Sequence, residues 1–199
     1  NRQYWSQLPR VIKADVNFRR YLITQTFTGA GNMAIGFLAV YAIRRWNLPD
    51  SEAGAYTIAT LVAQALSNLV FGWLADRKGH KLILQICVLT TALAAGVAAL
   101  APLNFWFYLV FFLFGISNAG FMLSGIMIVF EFCAPEIRPT YIGINNTFNG
   151  IVAIAMPLIG ALLARIFGFP IMFGVTFAVS MLGLVLLRFW VQEPRKLRL

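Results

Sequence analysis

The residues best equipped for chemistry crowd into one short stretch. Asp76, Arg77, Lys78, His80 and Lys81 surround Gly79, directly after an apolar run that ends at Ala75. A carboxylate at such a boundary is costly unless it is paired or held by a helix N-terminus. His80 is the single histidine, and the only two cysteines, Cys87 and Cys133, lie within or at the end of apolar runs. No Ser/His pair and no His/Asp/Glu set falls inside those runs, so an intramembrane enzyme is a poor reading. Two isolated thiols make neither a disulfide framework nor a metal site. We expect no metal and no cofactor.

The elements that must position these residues are apolar and long. The 199 residues are 60% hydrophobic and 12% charged, and mean hydropathy is +0.76. Stretches free of charge run over 21–43, 53–75, 82–130, 139–164 and 166–187. The longest is broken at Ala101-Pro102-Leu103-Asn104, a turn signal. Six segments result, each near the roughly 20 residues that cross about 30 Å of hydrocarbon. One soluble core cannot hide six such segments, and the apolar content excludes disorder. Strands of a β-barrel alternate with period two and are half as long. The pattern predicts an all-α polytopic membrane protein. The chain opens on Asn1 with no signal-peptide pattern, so we expect it to be cut from something longer, or processed.

Charge sets the orientation. If the segments cross in turn, thirteen of the sixteen Lys and Arg fall on one side, including Arg19, Arg20, Arg77, Lys78, Lys81, Arg138 and Arg188. Only Arg44, Arg45 and Arg165 fall on the other. The positive-inside rule then makes both termini cytoplasmic. Short loops offer no single basic surface with interleaved aromatics, so the net charge of +9 does not indicate nucleic acid. Trp5, Trp46, Trp73, Trp106 and Trp190 all sit at or just beyond segment ends, as an interfacial belt requires. Residues 8–20, with Pro9 at a first-turn position, read either as a short interfacial helix or as an unstructured basic linker.

The stretch from Gly72 to Lys81 then gains a second meaning. Gly72, Leu74, Ala75, Asp76, Arg77, Gly79 and Lys81 reproduce the loop signature of the major facilitator superfamily, and His80 stands where that family usually has Arg. The stretch 134–164, with Pro135 and Arg138, resembles the loop and fifth span of one of the family's halves, and the ending VQEPRKLRL is similar to its common chain end. The family has twelve spans in two halves of six, each half a three-plus-three inverted repeat. This chain is therefore similar to one half, and its lead-in ADVNFRRYL resembles the approach to the C-terminal one. The implied division is a linker over 1–20, a six-helix bundle over 21–190 and a basic cytoplasmic tail over 191–199.

The resemblance also implies roles. Asp76 would cap a neighbouring helix and pair with Arg77, and Arg77 would reach Glu131 at the end of the fourth span. Together with Gly72, Gly79, Lys81 and Arg138 these would form a latch closing the cytoplasmic side. The alternative is that the charges only anchor helix ends. The first and fourth spans of a half line the central cavity, and the second and fifth flank it at the contact between halves. That makes Gln25, Asn32, Asn118 and Phe121 cavity residues, with Gln64 and Asn149 beside them. The alternative is interhelical bonding, worth about 0.6 kcal/mol per pair on average. Gly143, Gly150, Pro157 and Gly160 would serve close packing of the fifth span, or let it flex.

Two functions of different class remain open. One is half of a secondary transporter that moves a small solute by alternating access. The other is a non-transporting membrane module or fragment that only folds or assembles. A transporter needs a second six-helix half, from the same polypeptide or a second copy, and a module does not. The expected location is a bacterial inner or plasma membrane.

Overall fold

The computed structural model describes residues 15–197. Two helices, α1 (Val16–Thr28) and α2 (Asn32–Trp46), make the first span, joined by a tight 3-10 turn over Gly29–Gly31. Spans two to six are α3 (Ser51–Lys78), α4 (His80–Leu100), α5 (Phe105–Phe132), α6 (Arg138–Phe167) and α7 (Phe169–Phe189). All six are long and apolar enough to cross a membrane. The described residues contain no strand.

Helix ends follow local chemistry. Asp15 caps α1, its carboxylate accepting from the Phe18 N–H at 2.9 Å. The first described helix therefore begins at Val16. Most of the interfacial helix expected over 8–20 lies outside the described residues. Asn47, at φ 49°, closes α2 in the left-handed conformation that Asn tolerates. The break between α4 and α5 falls at Ala101–Asn104, where the turn residues stand.

The packing carries an inverted repeat. α5 lies along α4 and α3, and the first span lies along α7 and α6. α4 also lies along α7. Exchanging spans one, two and three for four, five and six maps this set of pairings onto itself. With three spans per repeat, the second repeat enters the membrane from the opposite side, so the two are inverted.

Three sets of buried side chains hold the bundle, one of them joining Phe71 and Ala75 of α3 to Ile83 and Cys87 of α4 and Ala119 of α5. Near the Trp46 end, Tyr41 packs on Phe173 with ring centroids 5.2 Å apart, and Tyr56 stacks on Phe111 at 4.8 Å. Near the basic end, Phe18, Leu84, Val88, Ile128, Tyr141 and Leu187 pack together. The outward faces of α3 and α6 have no such cover. Ile58, Leu61, Leu66 and Leu69 on α3, and Ile151, Ile154, Leu158 and Leu162 on α6, are exposed.

Candidate functional site

A cavity of about 320 Å³ opens at mid-depth between the first span, α4, α5 and α6. Gln25, Asn32, Asn118, Phe121 and Asn149 border this space, five of the six candidates named from the sequence. The sixth, Gln64, is held one step back, its Oε1 accepting from Asn118 Nδ2 at 3.4 Å. Tyr21, Phe114 and Phe121 supply aromatic wall, and no charged side chain lines the space. Thr91 and Ser117 also line it, with their hydroxyls bonded to each other at 2.5 Å.

The first span stays helical through Asn32 but tightens to a single 3-10 turn at Gly29–Gly31. Gly29 and Gly31, at the turn between α1 and α2, are themselves part of the cavity wall. The family resemblance marks Gln25 and Asn32 as cavity residues but not the 3-10 turn between them. The signal for that turn was the closely spaced pair Gly29 and Gly31.

Gln25 is 8% exposed, and its Nε2 donates to Asn145 Oδ1 of α6 at 2.8 Å. Its Oε1 is buried and has no hydrogen-bond partner. Pro157 of α6 adds another acceptor. Lacking an N–H, it leaves the carbonyl four residues back without its helix bond. That carbonyl belongs to Ala153, which lines the cavity. Despite the proline, α6 runs unbroken from Arg138 to Phe167. Gly160 packs hard on α2, where a Cβ would come within 2.5 Å of the Met33 carbonyl oxygen. Gly150 and Gly72 meet nothing within 4 Å, and Gly143 serves through its carbonyl, which accepts from Thr147 Oγ1 at 2.8 Å.

At the basic end, the signature residues form a junction with the C-terminal segment. Lys81 is 8% exposed, and its Nζ donates to the carbonyls of Val191 at 2.7 Å and Arg188 at 3.3 Å. Arg195 donates to the Asp76 carbonyl at 3.1 Å, and Gln192 N–H to Asn17 Oδ1 at 2.8 Å. Residues 191–195 are thereby tied across the ends of α1, α3 and α4. Gly79 brings Glu193 and Glu131 close: a Cβ there would lie 3.0 Å from Glu193 Oε1 and 3.9 Å from Glu131 Oε1. Asp76 is exposed. Arg77 turns along its own helix and stacks over Trp73 at 4.3 Å from the ring centroid. Arg138 stacks over Phe130 at 5.1 Å. In the sequence, Glu193 and the tie from Lys81 to Val191 went unread, because both depend on where the chain end docks.

Six apolar spans, paired in an inverted repeat around a mid-membrane polar cavity, with this loop at one end, define one half of a two-half membrane carrier fold. The chain belongs to the Major Facilitator Superfamily, whose family model matches residues 21–199. It is 26% identical over 139 residues to the niacin transporter NiaP of Acinetobacter baylyi, covering 70% of this chain and 32% of that protein. It is 21% identical over 152 residues to the benzoate transport protein of the same organism, covering 74% and 33%. Over 80 residues it is 37% identical to the steroid transmembrane transporter SLC22A24 of Oryctolagus cuniculus, covering 40% and 14%. The matched regions thus span about a third or less of these relatives.

Proposed function

We propose that this chain is one half of a secondary transporter that moves a small, ring-bearing organic solute by alternating access. The observation that carries this reading is the uncharged cavity between the spans, lined by apolar and aromatic side chains with amides and hydroxyls among them. The names of two relatives, niacin and benzoate, both denote aromatic carboxylates. This half offers Phe114, Phe121 and Tyr21 to a ring and no cation to a carboxylate. A counter-ion for such a solute belongs to the second half.

The second half docks on the exposed apolar faces of α3 and α6, the two helices flanking the cavity. The three-plus-three arrangement and the charge bias support cytoplasmic termini. We read the chain as the C-terminal half, in a bacterial inner membrane. The junction of Asp76, Arg77, Gly79, Lys81, Glu131 and Arg138 acts as the latch on the cytoplasmic side. The test is uptake of radiolabelled nicotinate and benzoate into proteoliposomes carrying the protein as its gene encodes it. Saturable uptake of either supports the reading, and uptake no faster than in empty liposomes overturns it.

A further inference from the structure

We infer that Gly125 sets the size limit of the cavity, leaving room at its basic-end floor for a solute as bulky as two fused rings; this rests on the transport reading and narrows it. Gly29, Gly31 and Gly125 all border the cavity, and they do different work. A Cβ at Gly29 would strike Val152 Cγ1 at 2.5 Å, and one at Gly31 would strike Thr91 Cγ2 at 2.5 Å. Both glycines let neighbouring helices close in. A Cβ at Gly125 would meet nothing within 4 Å. The other glycines of α5 sharpen the contrast. A Cβ at Gly115 would run into the Thr60 carbonyl oxygen, and one at Gly120 into Cys87 Sγ. Glycine weakens a helix interior relative to alanine, and close packing accounts for its use at 115 and 120. At 125 what it supplies is space.

The helix register shows where that space lies. On α5, Phe114, Ser117, Asn118, Phe121 and Gly125 border the cavity, one helical face at spacings of three and four. The next position on this face, Ile128, is fully buried in the cluster that holds Tyr21, Leu84, Val88 and Leu187. Those four also border the cavity, so the cluster is its floor toward the basic end. Gly125 stands at that floor, one turn from Phe121. A ring lying against Phe121 therefore extends over Gly125 without meeting a side chain there. The volume agrees. An engineered cavity of about 150 Å³ holds a benzene molecule, and this half alone offers about 320 Å³.

The experiment compares benzoate with 2-naphthoate, as competitors and as labelled substrates, in the same proteoliposomes. In the unaltered protein 2-naphthoate should compete at least as well as benzoate, since its second ring adds buried apolar area. Gly125→Leu fills the space over the floor and should weaken 2-naphthoate relative to benzoate by roughly tenfold or more, as overpacking a formed site does. Gly125→Ala, a better helix former, should move the ratio the same way by less. Equal loss of both solutes in Gly125→Leu overturns the inference, because the space then serves the fold or a side chain of the second half. Should Gly125→Leu fail to insert, a lowered ratio in Gly125→Ala supports the inference and an unchanged one overturns it. Benzoate uptake that 2-naphthoate does not inhibit overturns it without reference to any variant, while the transport reading stands. Uptake of neither benzoate, nicotinate nor 2-naphthoate overturns both.

Discussion

Gly79 and Gly168 share one backbone conformation, φ 86° with ψ 164° and φ 87° with ψ 163°, at opposite ends of the bundle. Each donates its N–H to the carbonyl of an alanine four residues back, Ala75 at 2.9 Å and Ala164 at 3.0 Å. Each joins two spans that the inverted repeat makes equivalent, the second to the third and the fifth to the sixth. This region of backbone space is essentially closed to residues with a Cβ, at a cost of about 1–3 kcal/mol. At Gly168 an added Cβ would meet only Pro170 Cδ, at 3.8 Å, so backbone strain acts there almost alone. Gly168→Ala should lower unfolding free energy by about 1–3 kcal/mol, read by denaturant titration in detergent. A loss under a few tenths would show that the junction relaxes.

The same pair marks how far the repeat could be read beforehand. Leu74-Ala75 and Gly79 recur as Leu163-Ala164 and Gly168, but the charged residues between them at the basic end become Arg165, Ile166 and Phe167 at the other. One charged turn was conspicuous, and its apolar counterpart resembled ordinary span. Span number and boundaries were legible because hydrocarbon thickness imposes them. The cavity candidates came from the family resemblance, which places the first and fourth spans at the centre, while their side chains alone fit interhelical bonding as well. The 3-10 turn at Gly29–Gly31, the Gln25–Asn145 hydrogen bond, and the docking of Val191 and Glu193 depend on which side chains meet across helices. Spacing along the chain does not encode that.

Gly160 and Gly150 should behave oppositely. A Leu at 160 drives its Cβ into the Met33 main-chain carbonyl, which no rotamer avoids, at a cost of about 1–3 kcal/mol. A Leu at 150 meets nothing in this half and should leave its thermal stability unchanged. In the assembled transporter, however, Gly150→Leu should weaken the contact between halves. Equal melting temperatures for the two variants of this chain would refute the close approach of α6 to α2.

Asp76→Asn keeps size and removes charge. Asp76 is exposed and makes no packing contribution to the core, so membrane insertion and melting should be normal. If the loop biases the two access states, transport should fall by roughly fivefold or more, in line with a coupling of about 1 kcal/mol or above. Uptake equal to that of the unaltered protein would leave Asp76 as a helix-end anchor.

Orientation can be read from two exposed sites. Asp50 lies in the loop after α2, and Lys78 ends α3. Lys78 suits a cysteine better than Gly79, whose backbone is strained for any side chain. The native Cys87 and Cys133 are buried and give little background. Asp50→Cys should label with an impermeant maleimide in right-side-out vesicles, and Lys78→Cys only in inside-out ones. Labelling of both from one side would remove the six-span topology.

The last prediction concerns assembly. Asn32 and Asn149 line the cavity, and in an isolated half these amides would face hydrocarbon, where unsatisfied polar groups cost several kcal/mol each. If a second half covers them, the pseudo-two-fold axis should run along the membrane normal with the first and fourth spans nearest to it. Phe177 of α7 lies instead in an apolar groove with Leu93 and Gly96 of α4 and Trp106 of α5. A benzophenone maleimide attached at Asn32→Cys should, on illumination, join this half to residues outside 1–199 or to a second copy. The same probe at Phe177→Cys should reach lipid only. Peptide mapping by mass spectrometry reads the outcome. Crosslinks at Phe177 and none at Asn32 would put the partner on the wrong face, and a single monomer with neither would favour a module that folds without transporting.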